Sequence, residues 1–117
     1  SLLNANGEFV KPTAESISAA ASGEIPADTR CSITNSNAAG AYPIATFTWI
    51  LIYKEQAYSN RELYEAQATL DLLTYILGDE AQSITSEVNY APLPKKAKEL
   101  SLANLKTVTY NGVAILQ

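Results

Sequence analysis

The chain has 117 residues, 47% of them apolar, with no stretch near the ~20 apolar residues a membrane span needs and enough large side chains for one modest core. Its net charge of −4 argues against a general nucleic-acid binder, and its hydrophobicity argues against intrinsic disorder. With no His and a single Cys, it lacks an imidazole base for a Ser or Cys nucleophile, a His/Cys zinc cluster and an internal disulfide.

The first residues, Ser1 to Asn4, read as the end or edge of a strand, Asn6-Gly7 as a turn, and Glu8-Phe9-Val10 as a short extended return. Pro12-Thr13 then opens a helix. The Thr13 hydroxyl suits an N-cap, Glu15 suits the positive end of the helix dipole, and Ser22-Gly23 stops the helix. Residues 24–42 are loop-like, with a short strand expected over Cys31 to Thr34. Cys31 itself is expected to be a small, partly buried residue.

Ile44 to Tyr53 is the clearest strand signal in the chain. It is β-branched and aromatic, and its second half is apolar on both faces. That pattern predicts a central strand covered on both sides. Asn60 is expected to cap a helix over 61–77, in which Leu63, Ala66, Leu70, Leu73 and Leu77 form one apolar stripe before Gly78. Asp79 is expected to cap a shorter helix to about Ser86. Pro92 and Pro94 keep 88–93 extended, and Pro94 then suits the first turn of a last helix over 95–105. Thr107 to Tyr110 and Val113 to Leu116 flank Asn111-Gly112, a hairpin signal.

These elements are α/β, yet one long buried strand needs a neighbour on each edge, and the short terminal strands are meagre partners. The sequence therefore points to partner strands on polypeptide outside these 117 residues. Charge is also uneven: residues 1–87 hold 4 basic and 11 acidic residues, whereas 88–117 hold 4 basic and 1 acidic. Lys95, Lys96 and Lys98 read as the solvated face of a helix, as do Glu62 and Glu65.

Several segments resemble a known family when taken in order. They are Asn6-Gly7, Phe9-Val10 and Pro12-Thr13, with Glu15-Ser16-Ile17; Tyr42-Pro43-Ile44 with Thr46-Phe47-Thr48 and Ile50 to Gln56; Leu72 to Gly78 with Ala81-Gln82; Tyr90-Ala91-Pro92-Leu93-Pro94; and Thr109-Tyr110-Asn111-Gly112. Together they resemble the phosphate-binding proteins, extracytoplasmic receptors of bacterial phosphate ABC importers. The resemblance implies the last third of a two-lobed, type II periplasmic-binding-protein fold, that is, a partial fold built on a mixed sheet with flanking helices. Residues 1–40 would end the second lobe, and residues 41–117 would cross back and complete the first. Gly40, Ala41, Tyr42, Pro43 and Ile44 would lie at the hinge, where a few residues absorb backbone rotation.

The family holds its anion with backbone amides at helix N-termini, hydroxyls, an Arg and an Asp. Amides at a helix start favour an anion without net positive charge. Its Gly/Ser-rich anion loop and its Arg-Ser-Gly-Thr type motif do not occur here: Arg30 is followed by Cys31-Ser32, and Arg61 opens a helix. No phosphate ligand, metal or cofactor is therefore assigned to any residue of the segment. The resemblance implies scaffold and hinge roles in a periplasmic or cell-surface receptor. The implied partners are the receptor's N-terminal part, inorganic phosphate through the complete protein, and the ABC permease subunits. Self-association through exposed strand edges is a further expectation. A second reading is a structural or interaction module derived from such a receptor, without anion binding. No charged-then-apolar leader precedes a small-residue cleavage site, so no signal peptide is expected in this chain. A lone anion site at the Lys11–Ser16 helix start is the remaining alternative.

Overall fold

Asn-Gly pairs close the two hairpins of the chain. The computed structural model describes all of residues 1–117. In the first hairpin, β1 (Leu2–Leu3) pairs antiparallel with β2 (Phe9–Val10). In the second, β3 (Thr109–Tyr110) pairs antiparallel with β4 (Val113–Ala114). Asn111 (φ 51°) and Gly112 (φ 77°) are both left-handed, the conformation a tight two-residue hairpin turn requires.

Helix α1 (Ala14–Ala20) starts as the sequence predicts: Thr13 is the N-cap, and a reciprocal capping box joins it to Ser16. Helix α2 (Leu63–Leu77) begins two residues later than expected. Asn60 adopts a left-handed φ of 59°, so Glu62 becomes the N-cap and forms a capping box with Glu65. Helix α3 (Asp79–Ile84) follows directly, N-capped by Gly78 rather than Asp79. Helix α4 (Lys95–Leu105) follows Pro94 as its N-cap.

Two small cores form. One gathers Ala20, Ala21, Ile33, Ala41 and Ala45, with Ile17, Ala38 and Phe47 packed on it. The other centres on Leu70, Leu105 and Val108, with Ile52, Leu73, Leu77 and Leu102 against it. Ala66 and Leu70 of the α2 stripe are fully buried, whereas Leu63 is 44% exposed at its end. Full burial of one Leu contributes about 1.5–3 kcal/mol, so Leu70 anchors the α2–α4 pair.

Three strand expectations need correction. Residues 44–53 do not form a strand, nor do residues 31–34, and the mixed sheet with flanking helices is absent; the only strands are the two hairpins. The physical reason is the lack of partners. The one bridge near this segment is the parallel pair Glu55–Thr109, just past its end. A strand is defined by neighbours, and no β-prone run elsewhere in the chain is long enough to flank ten residues.

The consequence is an open molecule. It extends 52 × 27 × 23 Å with a radius of gyration of 16.8 Å, where a compact domain of this length has about 13 Å. Only 14 of its 117 residues are buried.

Candidate functional site

The five hinge candidates lie where hairpin, helix and loop converge. Gly40 is left-handed (φ 67°). Its N–H donates to the Glu8 carboxylate at 2.9 Å. Asn4 donates to the same carboxylate at 2.8 Å and to the Ala41 carbonyl at 3.3 Å. The Tyr42 N–H donates to the Ser16 carbonyl at 3.0 Å, and the Pro43 carbonyl accepts from the Asn35 N–H at 2.7 Å. Ala41 is fully buried, Pro43 is buried and Ile44 is 63% exposed. Residues 40–43 are thus fastened to the first core, and backbone-to-backbone hydrogen bonding stops after Ala45.

Asn4 makes this fastening work. It is 6% exposed, and its side-chain oxygen accepts from the N–H groups of Asn6 and Glu8 at 3.0 and 2.9 Å while its amide reaches across to Glu8 and Ala41. Those donors, Asn4 first and Gly40 next, hold the Glu8 carboxyl below its ordinary value. Nothing in the sequence pattern marked Asn4 or Glu8; they bond each other four residues apart, but their links to Ala41 and Gly40 each span more than thirty residues.

Residues 46–53 are the least satisfied part of the chain. None of their N–H or C=O groups makes a backbone-to-backbone hydrogen bond. Leu51 is 91% exposed, Tyr53 71%, Ile50 59% and Trp49 45%. One side is held: Phe47 packs on the first core and Ile52 on the second, and the Trp49 indole donates to the Thr29 carbonyl at 3.2 Å. Two hollows border the segment. One, of about 480 Å³, is walled by Trp49, Leu51, Leu73, Leu77, Ala97 and Leu105. The other, of about 500 Å³, lies between Leu51, Ile52 and Tyr53 and the polar side chains of Gln56, Tyr58 and Arg61.

Beyond the segment the chain is fixed again. Gln56 is buried, its N–H donates to the Thr109 carbonyl at 2.8 Å, and its side-chain amide donates to the Tyr53 carbonyl. The segments Leu72–Gln82 and Tyr90–Pro94 are also joined in space: the Gln82 side chain donates to the Ile76 carbonyl at 2.9 Å and accepts from the Leu93 N–H at 2.7 Å.

The helix start at Lys11–Ser16 carries its own ligands. The Ser16 N–H donates to the Thr13 hydroxyl, and the Ser16 hydroxyl accepts from the Thr13 N–H and donates to the Lys11 carbonyl. This internal cap uses the Ser16 amide and both hydroxyls. Cys31 is a half-buried free thiol. Lys98 pairs with Asp79 at 2.5 Å and Lys95 with Glu99 at 3.8 Å, so two of the three clustered lysines are engaged in ion pairs. No helix is long and apolar enough to cross a membrane.

No protein-family model matches the chain, and no solved structure matches it. Two relatives do. The phosphate-binding protein PstS of Xylella fastidiosa (strain Temecula1) is 35% identical over 96 residues, covering 80% of this chain and 25% of that protein. The phosphate-binding protein PstS of Methanocaldococcus jannaschii is 31% identical over 110 residues, covering 86% of this chain and 28% of that protein. A stretch of 63 residues is 38% identical to 3% of the RNA-directed RNA polymerase L of Chapare mammarenavirus, too small a part of that protein to carry an argument. The resemblance to phosphate-binding proteins read from the sequence is therefore borne out over most of the chain. The chain spans about a quarter of these relatives' length, rather than the third expected.

Proposed function

We propose, starting from the likeness of this chain to a quarter of the phosphate-binding proteins, that it is the C-terminal portion of an extracytoplasmic receptor that delivers phosphate to an ABC importer. The match over 80–86% of the chain carries this reading. In it, the fold is part of a type II periplasmic-binding-protein architecture with a mixed sheet. Residues 1–40 end the second lobe, and residues 41–117 return to the first. The protein works by binding, without a catalytic step.

The segment's part is scaffold and hinge. Gly40 to Ile44 link the fastened first core to the run 46–53, whose backbone is not paired with other backbone, and Gly40 already uses a backbone conformation closed to most side chains. The phosphate ligands belong to the rest of the receptor; the reading is supported by the Thr13–Ser16 cap, which already engages the hydroxyls and the Ser16 amide at the start of α1. The receptor's remaining part, inorganic phosphate and the permease subunits are the partners this reading assigns.

Calorimetric titration with inorganic phosphate in phosphate-free buffer tests it. The 117-residue chain alone is expected to give no binding heat. A chimera in which this chain replaces the matched quarter of the Xylella fastidiosa protein is expected to bind one phosphate saturably. Stoichiometric binding by the chain alone would overturn the scaffold role. A folded chimera that does not bind would overturn the receptor reading and favour an interaction module.

A further inference from the structure

We infer that the hollow between Tyr53 and Arg61 is a binding site for a small aromatic monocarboxylate, held by the Arg61 guanidinium. Such a site is separate from phosphate binding and does not depend on the receptor reading above.

Arg61 is a cation with spare donors. None of the chain's ion pairs involves it. Its Nη2 donates to the Glu65 carbonyl at 3.1 Å and to the Thr69 hydroxyl. Nη1 reaches only the Tyr58 hydroxyl, at 3.4 Å. Nε is buried and donates to nothing. A guanidinium carries five N–H donors, and a buried donor left unmet is rare and costly. The nearest acid along the helix does not fill the gap, because the Glu65 carboxylate accepts from the Glu62 N–H at 2.8 Å. A carboxylate at Nη1 supplies the charge this cation lacks, in the planar geometry a guanidinium matches. Rotation of the group then brings Nε to the second oxygen.

The surroundings hold Arg61 in place. The Tyr58 ring centre lies 5.7 Å from its Cζ, and Tyr53 packs edge-on against that ring at 5.0 Å. The Arg61 N–H donates to the Tyr58 carbonyl, and the Tyr110 hydroxyl donates to the Arg61 carbonyl, at 2.9 Å each. The hollow beside them, about 500 Å³, has the size of a small-ligand site. Its polar wall includes Gln56, which is 1% exposed, and its apolar wall includes Leu51 and Tyr53.

Charge and wall chemistry select the ligand. Arg61 is the one cation lining the hollow, and Glu55, Glu62 and Glu65 are close to it along a chain of net charge −4. That balance favours a monoanion over a dianion such as hydrogenphosphate. Leu51 and Tyr53 offer little to a hydrated inorganic ion but can cover an aromatic ring. A carboxylate at Arg61 with its ring against Leu51 and Tyr53 uses both walls.

Benzoate titration of the 117-residue chain, read by amide chemical shifts, tests this. Saturable movement of the Gln56, Tyr58 and Thr69 amides is expected, and hydrogenphosphate is expected to leave them unmoved. No saturation by about 20 mM would reduce the contact to a nonspecific one and overturn the site. Movement of the same amides by hydrogenphosphate at equal concentration would overturn the carboxylate assignment. Arg61→Lys keeps the charge but loses the fork, and is expected to weaken benzoate about tenfold. Lys96→Gln removes a cation elsewhere and is expected to leave the affinity unchanged. Equal affinities in the Arg61→Lys and unaltered chains, or an equal loss in Lys96→Gln, would contradict the site. Should Arg61→Lys not fold, Tyr58→Leu takes its place: it removes the ring and hydroxyl beside the guanidinium and is expected to weaken benzoate about fivefold, and an unchanged affinity overturns the inference. A chimera, as described above, that binds phosphate but not benzoate would overturn it while the receptor reading stands, because the rest of the receptor would then close the hollow.

Discussion

The Glu55 carboxylate holds the turn at Gly112. Gly112 donates its N–H to Oε2 at 3.0 Å, Asn111 donates to Oε1 at 2.8 Å, and Thr109 and Ala57 complete the shell through a hydroxyl and an N–H at 2.9 Å each. Two of these donors are the left-handed residues of the β3–β4 turn, so one exposed side chain ties the last hairpin to the end of the open run. The Ala57 and Gly112 amides, in that order, lower its carboxyl to about 2.

A carboxyl depressed in the folded state stabilises it above the ordinary carboxylate range, and that contribution is lost as pH falls toward the folded value. The amide resonances of Asn111 and Gly112 are expected to titrate together near pH 2, well below 4.5. Glu55→Gln is expected to remove that titration and to speed exchange at both amides. Titration of these amides near an ordinary carboxylate value would show that the clasp is not formed.

At the hinge candidates, Asn4 has the larger predicted effect. Asn4→Ala strands two N–H groups and releases the Glu8 carboxylate, and it is expected to cost about 1–3 kcal/mol in urea unfolding. Glu8→Gln is milder, because Glu8 lies at the surface. Its lowered carboxyl value means that its stabilisation is present at neutral pH and fades as pH drops below the ordinary carboxylate range. A smaller effect from Asn4→Ala than from Glu8→Gln would contradict this ranking.

Gly40 separates backbone from packing. A Cβ there meets nothing within 4 Å, but φ is 67°. Gly40→Ala is therefore expected to cost about 1–2 kcal/mol from conformation alone. Gly40→Asn is expected to cost less, because Asn tolerates this region. Equal losses in thermal or urea unfolding would point instead to a steric cause.

Leu70 and Leu51 are the same residue type in opposite settings. Leu70→Ala empties the centre of the second core and is expected to cost about 2–5 kcal/mol, a large share of any small domain's stability. Leu51→Ser alters a side chain that is 91% exposed, and it is expected to change stability of the isolated chain by less than about 0.5 kcal/mol. Urea unfolding of the two variants checks both values.

Local signals were legible in the sequence because their causes are local. Thr13 caps α1, Pro94 starts α4, the Asn-Gly pairs turn both hairpins, and the Leu stripe of α2 faces the core, since each depends on residues at most four apart. The start of α2 shifted because the capping box of Glu62 with Glu65 satisfied the helix amides while Asn60 turned left-handed. The β propensity of 44–53 was equally plain, but a strand exists only through its neighbours, so the sequence determined a β-prone run and not a strand. What tertiary structure alone decided were contacts between residues far apart along the chain: Glu8 with Gly40, Glu55 with Gly112, Gln82 with Leu93, and the bare edges of residues 46–53. Such pairings depend on how the chain closes its loops, and that depends on all the packing at once rather than on any window of residues.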